Sequence, residues 1–183
     1  MFAAVIAVLV ATGLLVGSTS VPGENAVPSA SAACPQVEVI FARGRLEPPG
    51  VGAIGNSFVS ALRSRVNENN GVYAVRYPAD NEIDVGANDM SAHIQDMANN
   101  CPDTRLVLGG YSLGAAVTDV VIAVPFSFFT FNNPLPGGMD QKIAAVALFG
   151  NGSAWVGPIT NFNALYSERT IEFCPGADPI GNP

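Results

Sequence analysis

Apolar and polar positions along this chain fall into blocks of two kinds. VEVIFA, residues 37–42, is apolar and β-branched almost throughout and predicts a buried strand. Residues 54–66, IGNSFVSALRSRV, place Phe58, Leu62 and Val66 on one face at helical spacing, with Arg63 and Arg65 turned away. GVYAVRY, residues 71–77, predicts a second strand, stopped by Pro78. A polar helix then runs from about Gly86 to Asn99, with Met90, Ile94 and Met97 as its apolar stripe. RLVLGGY (105–111) is a third strand and LGAAVTDVVIAV (113–124) the helix after it. IAAVALFG (143–150) and TIEFC (170–174) are the fourth and fifth strands.

Strands apolar on both faces, alternating with helices, predict an α/β domain with a mostly parallel five-stranded sheet covered on two sides. The right-handed crossover rule makes this a three-layer, doubly wound fold. A strand ending at Cys174 calls for a crossover helix over its face, yet nine residues follow it. The expectation is a domain lacking its last helix: either an apolar strip of sheet is left bare, or the chain is a fragment.

Composition narrows the partners. The 183 residues are 49% apolar and 13% charged, which suits one domain with a real core and excludes disorder for the whole. Net charge is -7 and no basic cluster is visible, so nucleic acid is not an expected partner. FAAVIAVLVATGLLV, residues 2–16, is an unbroken apolar run followed by Ala30-Ser31-Ala32, a small-residue cleavage pattern. It is shorter than the roughly 20 residues that span a bilayer. Residues 1–32 therefore read as an export signal and 33–183 as the domain, secreted and expected to act as a monomer. Cysteines 34, 101 and 174 suit an oxidising compartment, and their odd number leaves one unpaired. None of their spacings resembles a metal site, and with one histidine no metal or cofactor is expected.

The candidate chemistry sits at Gly110-Tyr111-Ser112-Leu113-Gly114. A buried strand before the serine, a helix after it and glycine on both sides are what a nucleophile elbow requires, because the turn is strained and the backbones pack closely. CPDTRLVLGGYSLGAAV, CPQVEVIFARGRLEPPGVGAIGNSFVSALRS, YPADN, DMSAHIQDMANNCP, IAAVALFGN and TIEFCPGADPI together resemble the cutinase family, secreted serine esterases of the α/β-hydrolase group. The resemblance is nearest to the mycobacterial cutinase-like proteins and covers nearly all of residues 34–180.

That resemblance implies Ser112 as nucleophile and Asp178 as the acid that orients an imidazole. It implies the Leu113 backbone N–H as one oxyanion donor, with the Arg43-Gly44 turn positioning the other. It also pairs Cys34 with Cys101, closing a loop of about 68 residues. The substrates it implies are carboxylic esters of fatty acids, lipids or polyesters.

Four positions depart from the family. Arg45 replaces a Ser or Thr whose hydroxyl helps hold the oxyanion; its side chain either supplies charge there or swings to solvent. Leu113 replaces Gln, a mild change because the amide does the work. Gly181 replaces the partner cysteine of Cys174. The family's imidazole lies beyond the acid, whereas His93, the single histidine, falls on a helix before the nucleophile strand and reads as a helix-surface residue. Little hydrolysis is therefore expected from these residues alone, and a non-catalytic or lipid-binding remnant is the alternative. PFSFFTFNNPLP (125–136) holds Phe126, Phe128, Phe129 and Phe131, which form either an apolar rim for acyl chains or a lipid surface, or local core.

Overall fold

The structure is a computed structural model and describes residues 33–66 and 69–173. The proposed export segment, Cys174, Asp178 and Gly181 lie outside the described residues.

Five strands form one sheet: β1 (Val37–Ala42), β2 (Asn70–Ala74), β3 (Arg105–Tyr111), β4 (Ile143–Phe149) and β5 (Thr170–Phe173). Their order is β2-β1-β3-β4-β5 and every pairing is parallel. All six residues of β1 are buried, which is why its sequence shows no apolar–polar alternation. Val37, Val39 and Phe41 pack with Val59 of α1 (Gly52–Arg63) on one face. Ile40 and Ala42 face the opposite way, into a larger core with Met90, Ile94 and Met97 of α2 (Ile83–Asn100) and Val117 and Val121 of α3 (Leu113–Ala123). The three-layer architecture is as expected.

Element ends differ where side chains intercept the backbone. β2 stops at Ala74 rather than Tyr77, because the Arg76 N–H donates to Asp89 Oδ2 at 2.8 Å instead of to a strand. Tyr77 turns inward and its hydroxyl donates to the Arg43 carbonyl. α1 ends at Arg63, short of Val66, and its buried seam runs through Gly55 and Val59 with Phe58 and Leu62 beside it. The β4–β5 crossover is three short 3₁₀ turns, pinned to the core by Ile159 and Tyr166.

The bare strip also exists among the described residues. Phe149 of β4 stacks on Phe173 of β5 with ring centres 4.9 Å apart, and Ile171 and Phe173 are 58% and 48% exposed. No described helix covers them.

Cys34 and Cys101 are joined, tying the segment before β1 to the end of α2 across a sequence separation of 67. Cross-linking so long a loop removes unfolded-state entropy worth at most about 4 kcal/mol. Cys101→Ser is expected to lower unfolding free energy by about 2–4 kcal/mol in urea titration. An unchanged midpoint would show that the bridge contributes nothing.

Candidate active site

In this strand order the chain leaves β1 toward one edge and β3 toward the other, so a crevice opens at their C-terminal ends. Ser112 stands at that point, after β3. Its backbone has φ 53° and ψ -113°, a left-handed turn that a residue with a Cβ adopts only at a cost of about 1–3 kcal/mol. The flanking glycines are steric necessities. A Cβ on Gly110 would lie 2.1 Å from the Gly114 carbonyl oxygen, and one on Gly114 would lie 2.0 Å from that of Ala42. Helix, turn and β1 are packed backbone to backbone.

Four hydrogen bonds hold the turn. The Ser112 N–H donates to the Phe149 carbonyl at 2.9 Å, and the Ser112 carbonyl accepts from Ala115 at 3.0 Å, from Ala116 at 3.3 Å and from Gly152 at 3.2 Å. Among the described residues, the Ser112 hydroxyl and the Leu113 N–H have no protein hydrogen-bond partner. Leu113 opens α3, so its amide belongs to the positive end of a helix.

Across the crevice, the loop after β1 is clamped by two charged side chains that the sequence did not flag. Arg43 is buried; its Nη2 donates to the Tyr77 carbonyl at 2.7 Å and its Nε to that of Glu47 at 2.7 Å. Its guanidinium lies 5.0 Å from the centre of the Tyr77 ring. The Glu47 carboxylate accepts from Gly44 N–H at 2.6 Å and from Ala53 N–H at 2.9 Å, capping α1 and pinning the turn together. Arg45 does not aim its charge at Ser112. Its side chain pairs with Asp80 at 3.2 Å on the surface, and its backbone N–H has no partner among the described residues.

His93 is not a simple helix-surface residue. Its Nε2 lies 3.1 Å from Glu38 Oε2, and its ring stacks on Tyr73 at 3.5 Å. Glu38 is the acid buried inside β1, so the imidazole supplies the polar partner that such burial demands. Glu38 sits in register with Leu106, six positions before Ser112 on β3. At about 3.3 Å per residue, His93 is anchored about 20 Å along the sheet from Ser112. It is excluded as the base for Ser112.

The phenylalanines divide. Phe131 is buried in the core beside α2 and α3, so its ring is unavailable to a ligand. Phe126, Phe128 and Phe129 are 60%, 53% and 90% exposed, on a tight loop closed by paired hydrogen bonds between Phe128 and Phe131. Asn88 of α2 grips that loop through Thr130, Asn132 and Asn133. Beside it an apolar groove of about 560 Å³ runs along α3 past Ala116, Val120 and Ala123, walled by Ile83, Val156 and Phe162. These α3 positions continue the helix face that starts at Ser112.

Asp119 lies on the same helix and is buried. Its Oδ2 accepts from Asn151 Nδ2 at 2.8 Å and from Ser153 Oγ at 2.5 Å, while its Oδ1 is buried without a described partner. Burial pushes its carboxyl up to about 6; the bonds from Ser153 and Asn151 oppose that shift and nearby Glu172 adds to it. The folded state therefore keeps its proton at pH values where the unfolded chain has lost it. Stability from this group is full below about pH 4 and falls as pH rises to about 6. Asp119→Asn removes the titration. Relative to wild type, the variant should gain up to about 3 kcal/mol between pH 4 and pH 8 in denaturant titrations. A difference that does not change with pH would contradict this.

Comparison with known proteins places this geometry. The profile of the family described as Cutinase matches residues 33–183. A protein named "Probable carboxylesterase Culp2" from Mycobacterium tuberculosis is 68% identical over 179 residues, covering 97% of this chain and 78% of that one. "Phospholipase Culp4" from the same organism is 50% identical over 157 residues, covering 84% and 70%. A Trichoderma reesei cutinase, solved in complex with a C11Y4 phosphonate inhibitor, superposes with TM-score 0.62 at 31% identity, covering 81% of this chain and 64% of that one. A strained serine between two obligatory glycines, on a five-stranded parallel sheet, thus comes with family-wide sequence agreement, and the chain belongs to the cutinase family.

Proposed function

We propose that this protein is a secreted serine hydrolase of carboxylic esters with apolar acyl groups, and that Ser112 is its nucleophile. The observation that carries the reading is the Ser112 turn, a non-glycine residue held at φ 53° directly between β3 and α3. The Ser112 hydroxyl loses its proton to solvent hydroxide as its oxygen attacks the ester carbonyl, and the negative oxygen that forms is received by the Leu113 N–H, joined by the Arg45 N–H across the crevice. Collapse breaks the ester C–O bond, the alcohol leaves with a proton from water, and the acyl-serine that remains is cleaved by water to the free acid. Asp178 serves as the acid of the triad by family resemblance.

The acyl chain lies in the groove along α3, whose volume falls in the usual range of about 300–1,000 Å³ for small-molecule sites. Exposed Phe126, Phe128, Phe129 and Trp155 form an aromatic margin suited to a lipid or polyester surface. Export is supported by the apolar run at residues 2–16 and by the Cys34–Cys101 bridge, and no described helix is long and apolar enough to cross a membrane.

A second reading, ester binding without efficient turnover, is favoured by the commitment of His93 to Glu38 and Tyr73. The two meet in one experiment on the 183-residue polypeptide. A fluorophosphonate probe should label Ser112 and nothing else, and nitrophenyl butyrate hydrolysis should vanish in Ser112→Ala. With no imidazole at the serine, the rate should climb about tenfold per unit from pH 7 to pH 9. Levelling off above pH 7 would reveal an imidazole base, and labelling that survives in Ser112→Ala would sink the assignment.

The groove has its own test. Val120→Trp should fill it and depress hydrolysis of nitrophenyl decanoate at least about tenfold more than that of the butyrate. Equal effects on both esters would place the acyl chain elsewhere.

A further inference from the structure

Asp119 is a buried carboxylate that takes no step in the ester chemistry, although with Ser153 it also lines the groove along α3. It projects from α3, yet both of its hydrogen bonds leave the helix for the segment Asn151-Gly152-Ser153 that follows β4. That segment is closed on itself: Asn151 Oδ1 accepts from the Ser153 N–H at 3.0 Å and lies 2.8 Å from Ser153 Oγ. Asn151 is 1% exposed and Asp119 is buried, whereas Gly152 and Ser153 are half-buried. Gly152, at its apex, donates to the Ser112 carbonyl at 3.2 Å. There is little slack, since a Cβ on Gly152 would lie 3.1 Å from that oxygen and 3.6 Å from Leu113 N.

The Ser112 carbonyl and the Leu113 N–H belong to one peptide plane and point in opposite directions across it. That carbonyl accepts from Ala115 and Ala116 of α3 on one side and from Gly152, a donor outside the helix, on the other, so the Gly152 bond helps fix where the Leu113 N–H aims. We propose that Asp119 is a positioning residue: through Asn151 and Ser153 it holds Gly152 on the Ser112 carbonyl and so aims the Leu113 N–H at the developing oxyanion. This rests on the reading of Leu113 as oxyanion donor, whereas the clasp itself does not. A charged acceptor suits the task, because hydrogen bonds to a carboxylate are about twice as strong as neutral ones. An asparagine side chain keeps the acceptor oxygen and most of the shape; leucine keeps the approximate size and removes the acceptor.

The test uses the full chain as Asp119→Leu, Asp119→Asn and Ser153→Ala, the last being mild enough to fold if leucine is not. Two quantities are read: amide hydrogen exchange by mass spectrometry, and the rate of fluorophosphonate labelling at Ser112. In Asp119→Leu, peptides spanning residues 149–154 and 111–116 should exchange faster while β1 exchanges as in wild type. Labelling should slow about tenfold, a fraction of what a misplacement of about 1 Å costs. Ser153→Ala should show a smaller change of the same kind, and Asp119→Asn should restore most of both. Unchanged exchange at 149–154, or acceleration spread evenly over the sheet, would overturn the clasp. Faster exchange there with labelling at the wild-type rate would overturn the link to Leu113. If wild type itself is not labelled, the functional reading fails, and the exchange data still decide whether Asp119 holds the segment.

Discussion

Everything at this site depends on one backbone constraint, the left-handed turn at Ser112. A non-glycine residue is held in that region only where its surroundings over-determine it. Here they do so by contact. Gly110 and Gly114 bring β3, α3 and the end of β1 to distances at which no Cβ fits. The turn lifts the serine out of the strand and presents it at the mouth of the crevice, and it opens α3 directly behind it. A larger residue at either glycine position would push helix from sheet before any chemistry was affected.

The rest of the crevice is held by charged side chains with fixed hydrogen-bond partners, main-chain groups for Arg43 and Glu47 and side chains for Asp119. Arg43 and Glu47 lock the turn after β1 by hydrogen bonds to main-chain groups, and Asp119 reaches from α3 to the segment after β4. Such groups are costly to bury and strongly destabilising to leave unpaired, so they fix one loop arrangement where apolar packing would tolerate several. The carboxyl of Asp119 shows the cost directly, since burial raises it to about 6 despite two good donors. Opposite ends of the strands carry different devices. Glu38 pairs with His93, whose ring stacks on Tyr73, near the start of β1 and far from the serine.

The parts of this legible in the sequence were those governed by periodicity and glycine. β1 and β3 were placed to the residue, because largely apolar runs end abruptly at Arg43 and Ser112. The elbow was legible because strand, glycine, serine, glycine and helix is a steric specification. The pairing of Cys34 with Cys101 came with the family resemblance and is present. What escaped was the polar interior. Glu38 within VEVIFA and Asp119 within VTDVV are single acids in apolar runs, and each was a signal that a partner must exist. The sequence could not say that the partners were His93 and Asn151, which lie 55 and 32 residues away. Side-chain direction was equally hidden, so Phe131 and Phe129 looked alike although one is core and the other is 90% exposed.

The central claim is that the Ser112 turn aims a nucleophile and the Leu113 N–H at the same carbonyl. A crystal structure of the protein after reaction with an alkyl phosphonate tests this most directly. The account predicts phosphorus bonded to Ser112 Oγ, with a phosphoryl oxygen about 2.7–3.1 Å from the Leu113 nitrogen. Phosphorus on another residue, or that oxygen directed away from the amide, would contradict it.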